Sequence, residues 1–115
     1  MKLIKTLVAA TAATVLLATA GIAAASEQYV PLLSYRVGPY GSNGTSFYGG
    51  MIDYMTLINQ SGGINGVKLT WEECETEYNA ARGVECYERL KSKNGGATIV
   101  EPLSTGIAYG ILDRV

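Results

Sequence analysis

The sequence predicts an α/β fold, a parallel βαβ sandwich in three layers. Three observations predict it. Runs rich in β-formers alternate with stretches of helical period. The links between them are short and built from Gly, Asn and Pro. The first apolar run has no polar face, as a strand covered on both sides requires. Strands and helices in strict alternation with short links give parallel strands joined by right-handed crossovers.

The first 25 residues stand outside that pattern. Lys2 and Lys5 precede an uncharged stretch from Leu7 to Ala20, and Ala23-Ala24-Ala25 sets small residues before Ser26. This is the pattern of a secretory signal peptide cleaved after Ala25. A membrane-spanning helix is the alternative. The stretch approaches the length of about 20 residues that it needs, but it is Ala- and Thr-rich and only weakly hydrophobic. Removing 25 of the 115 residues leaves a 90-residue mature region, 26–115. Two of the nine Lys and Arg lie in the leader, so seven cations face ten carboxylates and the mature net charge is −3. No basic block survives, which argues against a nucleic-acid partner. The chain has no His, which removes Ser-His and Cys-His triads and the usual zinc ligands. Cys74 and Cys86 lie in the mature region, where export to an oxidising compartment allows one disulfide; two separate thiols are the alternative.

The first strand is expected over 29–36, with Pro31 near its start, where a strand tolerates it. From Phe47 the period changes. Phe47, Met51, Tyr54, Met55 and Ile58 recur at steps of three and four, an amphipathic helix capped by Asn43, Thr45 or Ser46. Gly62-Gly63 stops it, with Ile64 folding back onto the last turn. Gly49-Gly50 inside the helix costs about 1 kcal/mol per glycine against alanine, and close approach to the sheet is the expected reason. Asn65-Gly66 is a turn signal, and 67–72 then alternates as a strand with one open face. The acidic run 72–77 reads as a solvated loop leading into a helix; a cation site would need a defined ligand spacing around a turning Gly, and none is present. Asn79 caps a second helix with Ala81, Val84, Tyr87 and Leu90 on its buried stripe and Glu85–Arg89 as an outer i,i+4 pair. Asn94-Gly95-Gly96 ends it, 97–100 is a short third strand, and Ile107, Ile111 and Leu112 open a third helix.

In open parallel sheets ligands bind beyond the carboxyl ends of the strands. Two unusual corners fall there, Gly38-Pro39-Tyr40-Gly41-Ser42-Asn43-Gly44 after the first strand and Pro102-Leu103-Ser104-Thr105-Gly106 after the third. Each runs into a helix start, where unpaired N–H groups favour a carboxylate or phosphate, and glycine allows a ligand close to the backbone. Ordinary βα turns are the plainer alternative. The phosphate-loop pattern fails because Gly44 is followed by Thr45 and no Lys. The dinucleotide fingerprint fails on the spacing of Gly38, Gly41 and Gly44, and G-x-S-x-G is absent, so no cofactor is implied. Asn43 and Asn59 match the glycosylation sequon, but helix capping explains those positions equally well.

The corner at 38–44, the helix–turn–strand "INQSGGINGVKL" and "PLSTG", in this order and spacing, resemble a known family. It comprises the extracytoplasmic solute-binding proteins of branched-chain amino acid ABC transporters, the periplasmic binding proteins of type I. The resemblance covers roughly 30–115. It implies two α/β lobes that close on a ligand, with region 26–115 as the N-terminal part of the first. It implies a small amino acid or amide ligand, a membrane permease as partner, a periplasmic location and no enzymatic activity. Ser104, Thr105 and Gly106 match the segment whose hydroxyl and N–H groups hold the ligand carboxylate. The first corner matches a segment that places an aromatic on the ligand; that aromatic falls on Asn43 here, with Tyr40 three residues earlier. Some members bridge the loop after the second strand to the corner after the third. Ser104 stands at that corner, so the resemblance implies pairing of Cys74 with Cys86 instead. A ligand-sensing receptor domain of the same fold and a fragment of a secreted α/β hydrolase are the alternatives. Ninety residues are too few for two lobes, so the region alone is expected to be weakly stable and to bind ligand poorly.

Overall fold

The computed structural model describes residues 27–115; the signal-peptide reading of 1–25 lies outside the described residues. Strand β1, Gln28–Ser34, is followed by helix α1, Gly41–Gln60, strand β2, Leu69–Glu75, helix α2, Ala80–Leu90, and helix α3, Thr105–Ile111. Short 3-10 turns cover Lys93–Gly95 and Leu112–Arg114. β1 and β2 pair in parallel with Gln28 opposite Leu69 and Ser34 opposite Glu75. Helix α1 covers one face of this sheet and α2 with α3 the other, so the three layers and the parallel βαβ order hold.

Each face has its own core. Val30 and Leu32 face α1, where they meet Tyr48 and Met55, with Leu69 and Trp71 from β2. Leu33 and Cys74 face the other way, against Cys86, Tyr87, Leu90, Ile107 and Ile111. Leu32, Leu33 and Leu90 are fully buried; each such side chain contributes about 2 kcal/mol of apolar burial. Cys74 and Cys86 are joined as a disulfide, with their Cα atoms 5.7 Å apart.

Several expectations are corrected. Helix α1 starts at Gly41, six residues before Phe47, so the first corner is half loop and half helix. Tyr40 occupies the N-cap position without a side-chain cap, and Asn43, Thr45 and Ser46 lie within the helix. The buried side of α1 runs through Gly41, Gly44, Tyr48 and Met55, while Phe47 and Tyr54 face solvent. The reason is steric. A Cβ on Gly41 would lie 2.7 Å from the Arg36 carbonyl oxygen, and one on Gly44 only 1.9 Å from that of Tyr35. The residues closest to the strand therefore have no side chain, and an apolar count overlooks them. Gly49 and Gly50 have no neighbour within 4 Å of a built Cβ, so close packing does not explain them.

Strand β2 continues through Glu75, and the acidic run is therefore mostly strand. Its carboxylates meet cations: Glu72 pairs with Lys93 at 2.7 Å, Glu73 with Arg36, and Glu77 with Arg82. In α2, Asn79 caps as expected, accepting from the Arg82 N–H at 3.0 Å. Ala81 is exposed, whereas Gly83 is buried, because a Cβ there would meet Ile107 of α3 at 2.5 Å. The expected Glu85–Arg89 pair is replaced: Arg89 points its guanidinium at Cys74 Sγ, 2.7 Å away.

The third strand is reduced to a single parallel bridge between Tyr29 and Ala97, with the Thr98 N–H donating to the Tyr29 carbonyl at 2.9 Å. Successive strand residues turn their backbone groups to opposite edges. Gln28 and Ser34 bond toward β2, so Tyr29, Pro31 and Leu33 face residues 97–100. Pro31 has no N–H to give on that side. The Leu33 carbonyl accepts from the Tyr48 hydroxyl at 2.9 Å instead of from backbone. The ladder therefore lacks its next two rungs, and Ile99 is left 60% exposed.

Candidate functional site at the carboxyl rim

The two corners lie at the same end of the sheet, on either side of Tyr35. Its hydroxyl donates to the Leu103 carbonyl at 3.2 Å. Its own carbonyl and ring sit against Gly44, where a Cβ would come within 2.5 Å of ring atom Cδ2. Tyr48, from α1, reaches past the open edge of β1 to the Leu33 carbonyl, and the Glu101 carbonyl lies 3.4 Å from the same hydroxyl. The Tyr35 phenol thus joins the end of β1 to the corner at 101–104, and the single Tyr48 proton lies between the Leu33 and Glu101 carbonyls.

Gly41 and Gly44 give the first corner its openness for the strand's own carbonyls, not for a ligand. Gly38 adopts φ +84, and a Cβ there would sit 3.1 Å from the Glu77 carbonyl. This draws the first corner against the loop that follows β2. That loop places Tyr78 against Tyr35, centroids 4.9 Å apart and edge-on, and against Tyr40, 4.5 Å apart and tilted.

The second corner opens a groove of about 490 Å³ lined by Glu101, Pro102, Ser104, Thr105, Ala108, Tyr109 and Leu112. Ser104 is buried and caps α3, its hydroxyl accepting from the Ile107 N–H at 3.4 Å. Thr105 and Gly106 are exposed in the first turn of α3. The Glu101 carboxylate accepts from the Leu103 N–H at 2.7 Å, which holds it at the mouth of the groove. Another opening, of about 580 Å³, lies at the amino end of β1 between Gln28 and Gly95–Thr98, away from this rim.

Among the residues singled out in the sequence, Ser104 and Thr105 line the groove, and Gly106 follows them. Tyr40 and Asn43 are exposed and do not line it; they stand on the far side of Tyr35. Tyr35, Tyr48 and Tyr78 were not singled out. Their signal was compositional, since four of the eight tyrosines fall at one rim. Burial pushes the Tyr48 phenol well above its ordinary range, helped by nearby Tyr35 and Glu101. Burial also raises Tyr35, with Tyr78 and Glu101 adding to it. Both hydroxyls therefore keep their protons and remain donors at neutral pH.

Below the rim, the Arg36 N–H donates to Glu75 at 2.7 Å, and the Arg36 guanidinium pairs with Glu73. Burial opposes ionisation of Glu73, but hydrogen bonds from Arg36 and Ser34 outweigh it and hold the carboxyl below its ordinary range.

Residues 27–115 match the family model described as periplasmic binding protein. The chain belongs to the periplasmic binding protein family. Solved structures agree. A protein of the Pseudomonas fluorescens group, described as an ABC transporter permease, is 48% identical with a TM-score of 0.72, over 77% of this chain and 22% of its own. A fatty acid ABC transporter substrate-binding protein from Thermomonospora curvata shares the fold at 16% identity and TM-score 0.67, over 77% of this chain and 22% of its own. An extracellular ligand-binding receptor from Verminephrobacter eiseniae shares it at 20% identity and TM-score 0.60, over 76% and 24%. The chain therefore spans about a quarter or less of the length of these solved structures. No curated protein matches it.

Proposed function

We propose that this chain is the N-terminal part of the first lobe of the solute-binding component of an ABC importer. In this reading residues 1–25 export it, it works outside the cytoplasmic membrane, and it hands its ligand to a membrane permease without catalysing a reaction. The ligand we infer is a branched-chain or similarly small amino acid, or an amide of that size. One observation carries the reading: the groove at the rim sets the Ser104 hydroxyl and the start of α3 beside the Glu101 carboxylate. Free N–H groups of Thr105 and Gly106 suit a carboxylate, and Glu101 suits an ammonium, so the two charges of an amino acid have separate partners. Tyr40 and Asn43, exposed on the far side of Tyr35, are the further candidates for contact with the solute. Membership in the periplasmic binding protein family supports the reading.

As part of one lobe, the chain is expected to bind in the millimolar range. Titration of the purified chain with L-leucine, followed by ligand-observed NMR, tests this. Ser104→Ala should weaken binding about tenfold, the worth of one hydrogen bond to a charged group. Equal binding by Ser104→Ala would remove the groove from the site, and no saturation by leucine, urea or acetamide would end the proposal.

A further inference from the structure

We propose that the Cys74–Cys86 bond is a site of thiol–disulfide exchange with a dithiol, in which Cys86 is the sulfur attacked and Cys74 the sulfur released onto Arg89. This goes beyond the solute-binding reading and does not depend on it.

The two sulfurs have different surroundings. The Arg89 guanidinium lies 2.7 Å from Cys74 Sγ, and Cys86 Sγ lies 3.8 Å from the Glu75 carbonyl oxygen. A thioether-like sulfur is only a weak acceptor, so the oxidised chain gains little from this cation. A carboxylate is at hand, since Glu85, one turn earlier on α2, lines the same opening as Arg89. Yet among the described residues Arg89 is the one arginine without a carboxylate in ion-pair range; Arg36, Arg82 and Arg114 each have one. The reduced state explains the arrangement. A cation beside a sulfur favours the thiolate, so a released Cys74 has its counter-ion in place before the bond opens. Cys86, once protonated, has the Glu75 carbonyl as its acceptor. Each sulfur therefore has the neighbour that suits one product. Both cysteines are buried as residues, but together with Arg82, Glu85 and Arg89 they line an opening of about 400 Å³.

The exchange balances with the dithiol as the only reductant. A thiolate of the dithiol attacks Cys86 Sγ. The bond between Cys74 and Cys86 breaks, and its electron pair leaves on Cys74 Sγ as the thiolate beside Arg89. The second thiol of the dithiol gives its proton to solvent and attacks the dithiol's own sulfur in the mixed disulfide. Cys86 leaves and takes up a proton, the dithiol ends as a disulfide, and the protein has gained its two electrons. A better-stabilised leaving thiolate departs faster and raises the potential of the couple. The bond closes the loop 74–86, which sets the Glu77 carbonyl against Gly38 of the first corner. Its reduction therefore loosens one wall of the rim.

The test follows reduction of the purified, oxidised chain by dithiothreitol, with free thiols trapped by iodoacetamide and counted by mass spectrometry. Arg89→Gln, an exposed position, should slow the reduction about tenfold and lower the midpoint potential by about 30 mV, the same factor for a two-electron couple. Arg89→Lys should restore most of both. Arg82→Gln, which lines the same opening but removes a cation already paired with Glu77, should change neither. If the reduced chain unfolds, the rate measured on the folded, oxidised chain carries the test. Glutathione, a single thiol, reports the direction: the mixed disulfide should be found on Cys86 and the alkylated thiol on Cys74. Reduction of Arg89→Gln at the parent rate, equal slowing by Arg82→Gln, or glutathione on Cys74 overturns the proposal.

Discussion

The side chain of Asn59, in the last turn of α1, pairs with both backbone groups of Leu69 at the start of β2. Its amide Nδ2 donates to the Leu69 carbonyl at 2.7 Å, and its Oδ1 accepts from the Leu69 N–H at 2.8 Å. Since Lys68 bonds to β1, Leu69 faces the outer edge of the sheet. Asn59 therefore stands in for one residue of a missing neighbour strand and blunts that edge. Asn59→Ala leaves both groups of Leu69 without these partners. A loss of about 2–3 kcal/mol is expected in urea unfolding. Asn59→Asp, which keeps the acceptor but turns the donor into a second acceptor against a carbonyl, should be no better.

Glycines in α1 should respond with opposite sign. Gly44→Ala drives a methyl group into the Tyr35 carbonyl and should cost about 3 kcal/mol or prevent folding. Gly50→Ala meets nothing within 4 Å and should stabilise the helix by about 1 kcal/mol. Thermal unfolding of the two variants checks both; destabilisation by Gly50→Ala would mean that this glycine has a packing partner.

Stability should fall with acid through Glu73. Its carboxyl titrates below the ordinary range in the folded chain. Its contribution is thus complete above the unfolded value of about 4.3 and disappears as pH falls through the lower folded value. Glu73→Gln should be less stable than the parent at pH 7, by no more than about 1 kcal/mol because the pair is partly exposed. The two unfolding midpoints should converge as pH falls through that lower folded value. A gap that stays unchanged through the whole acid range over which the chain remains folded would contradict this assignment.

Reduction of the Cys74–Cys86 bond should lower stability by about 3 kcal/mol on the chain-entropy account, given a separation of 12 residues. Unfolding with and without dithiothreitol measures it, and the Cys74→Ala, Cys86→Ala double variant should match the reduced form.

Much of this fold was legible in the residues. The alternation of periods placed β1, α1, β2 and α2 in order, and Asn79 marked the start of α2. Gly62-Gly63 and Asn65-Gly66 marked the turn, where all four residues adopt positive φ. What failed did so for physical reasons. The α1 stripe slipped by one position because its closest contacts are Gly41 and Gly44, which hydropathy counts as nothing. The third strand was read from its own β-formers, whereas its pairing depends on which edge Pro31 faces. At the candidate site, Ser104 and Thr105 were legible as a hydroxyl-bearing corner before a helix. Tyr78 was not, because a ring in the loop after β2 reaches the rim only through the left-handed turn at Glu77 and Tyr78.

The missing Pro31 amide has a mechanical consequence. A full ladder would make the segment from Ala97 to Glu101 move as one plank with β1. Here that segment is pinned near Tyr29 at one end and by two phenols at the other. Rotating Tyr35 and Tyr48 would release the corner at 101–103 from the end of β1 without breaking a backbone ladder, so two side chains fasten this corner to the sheet.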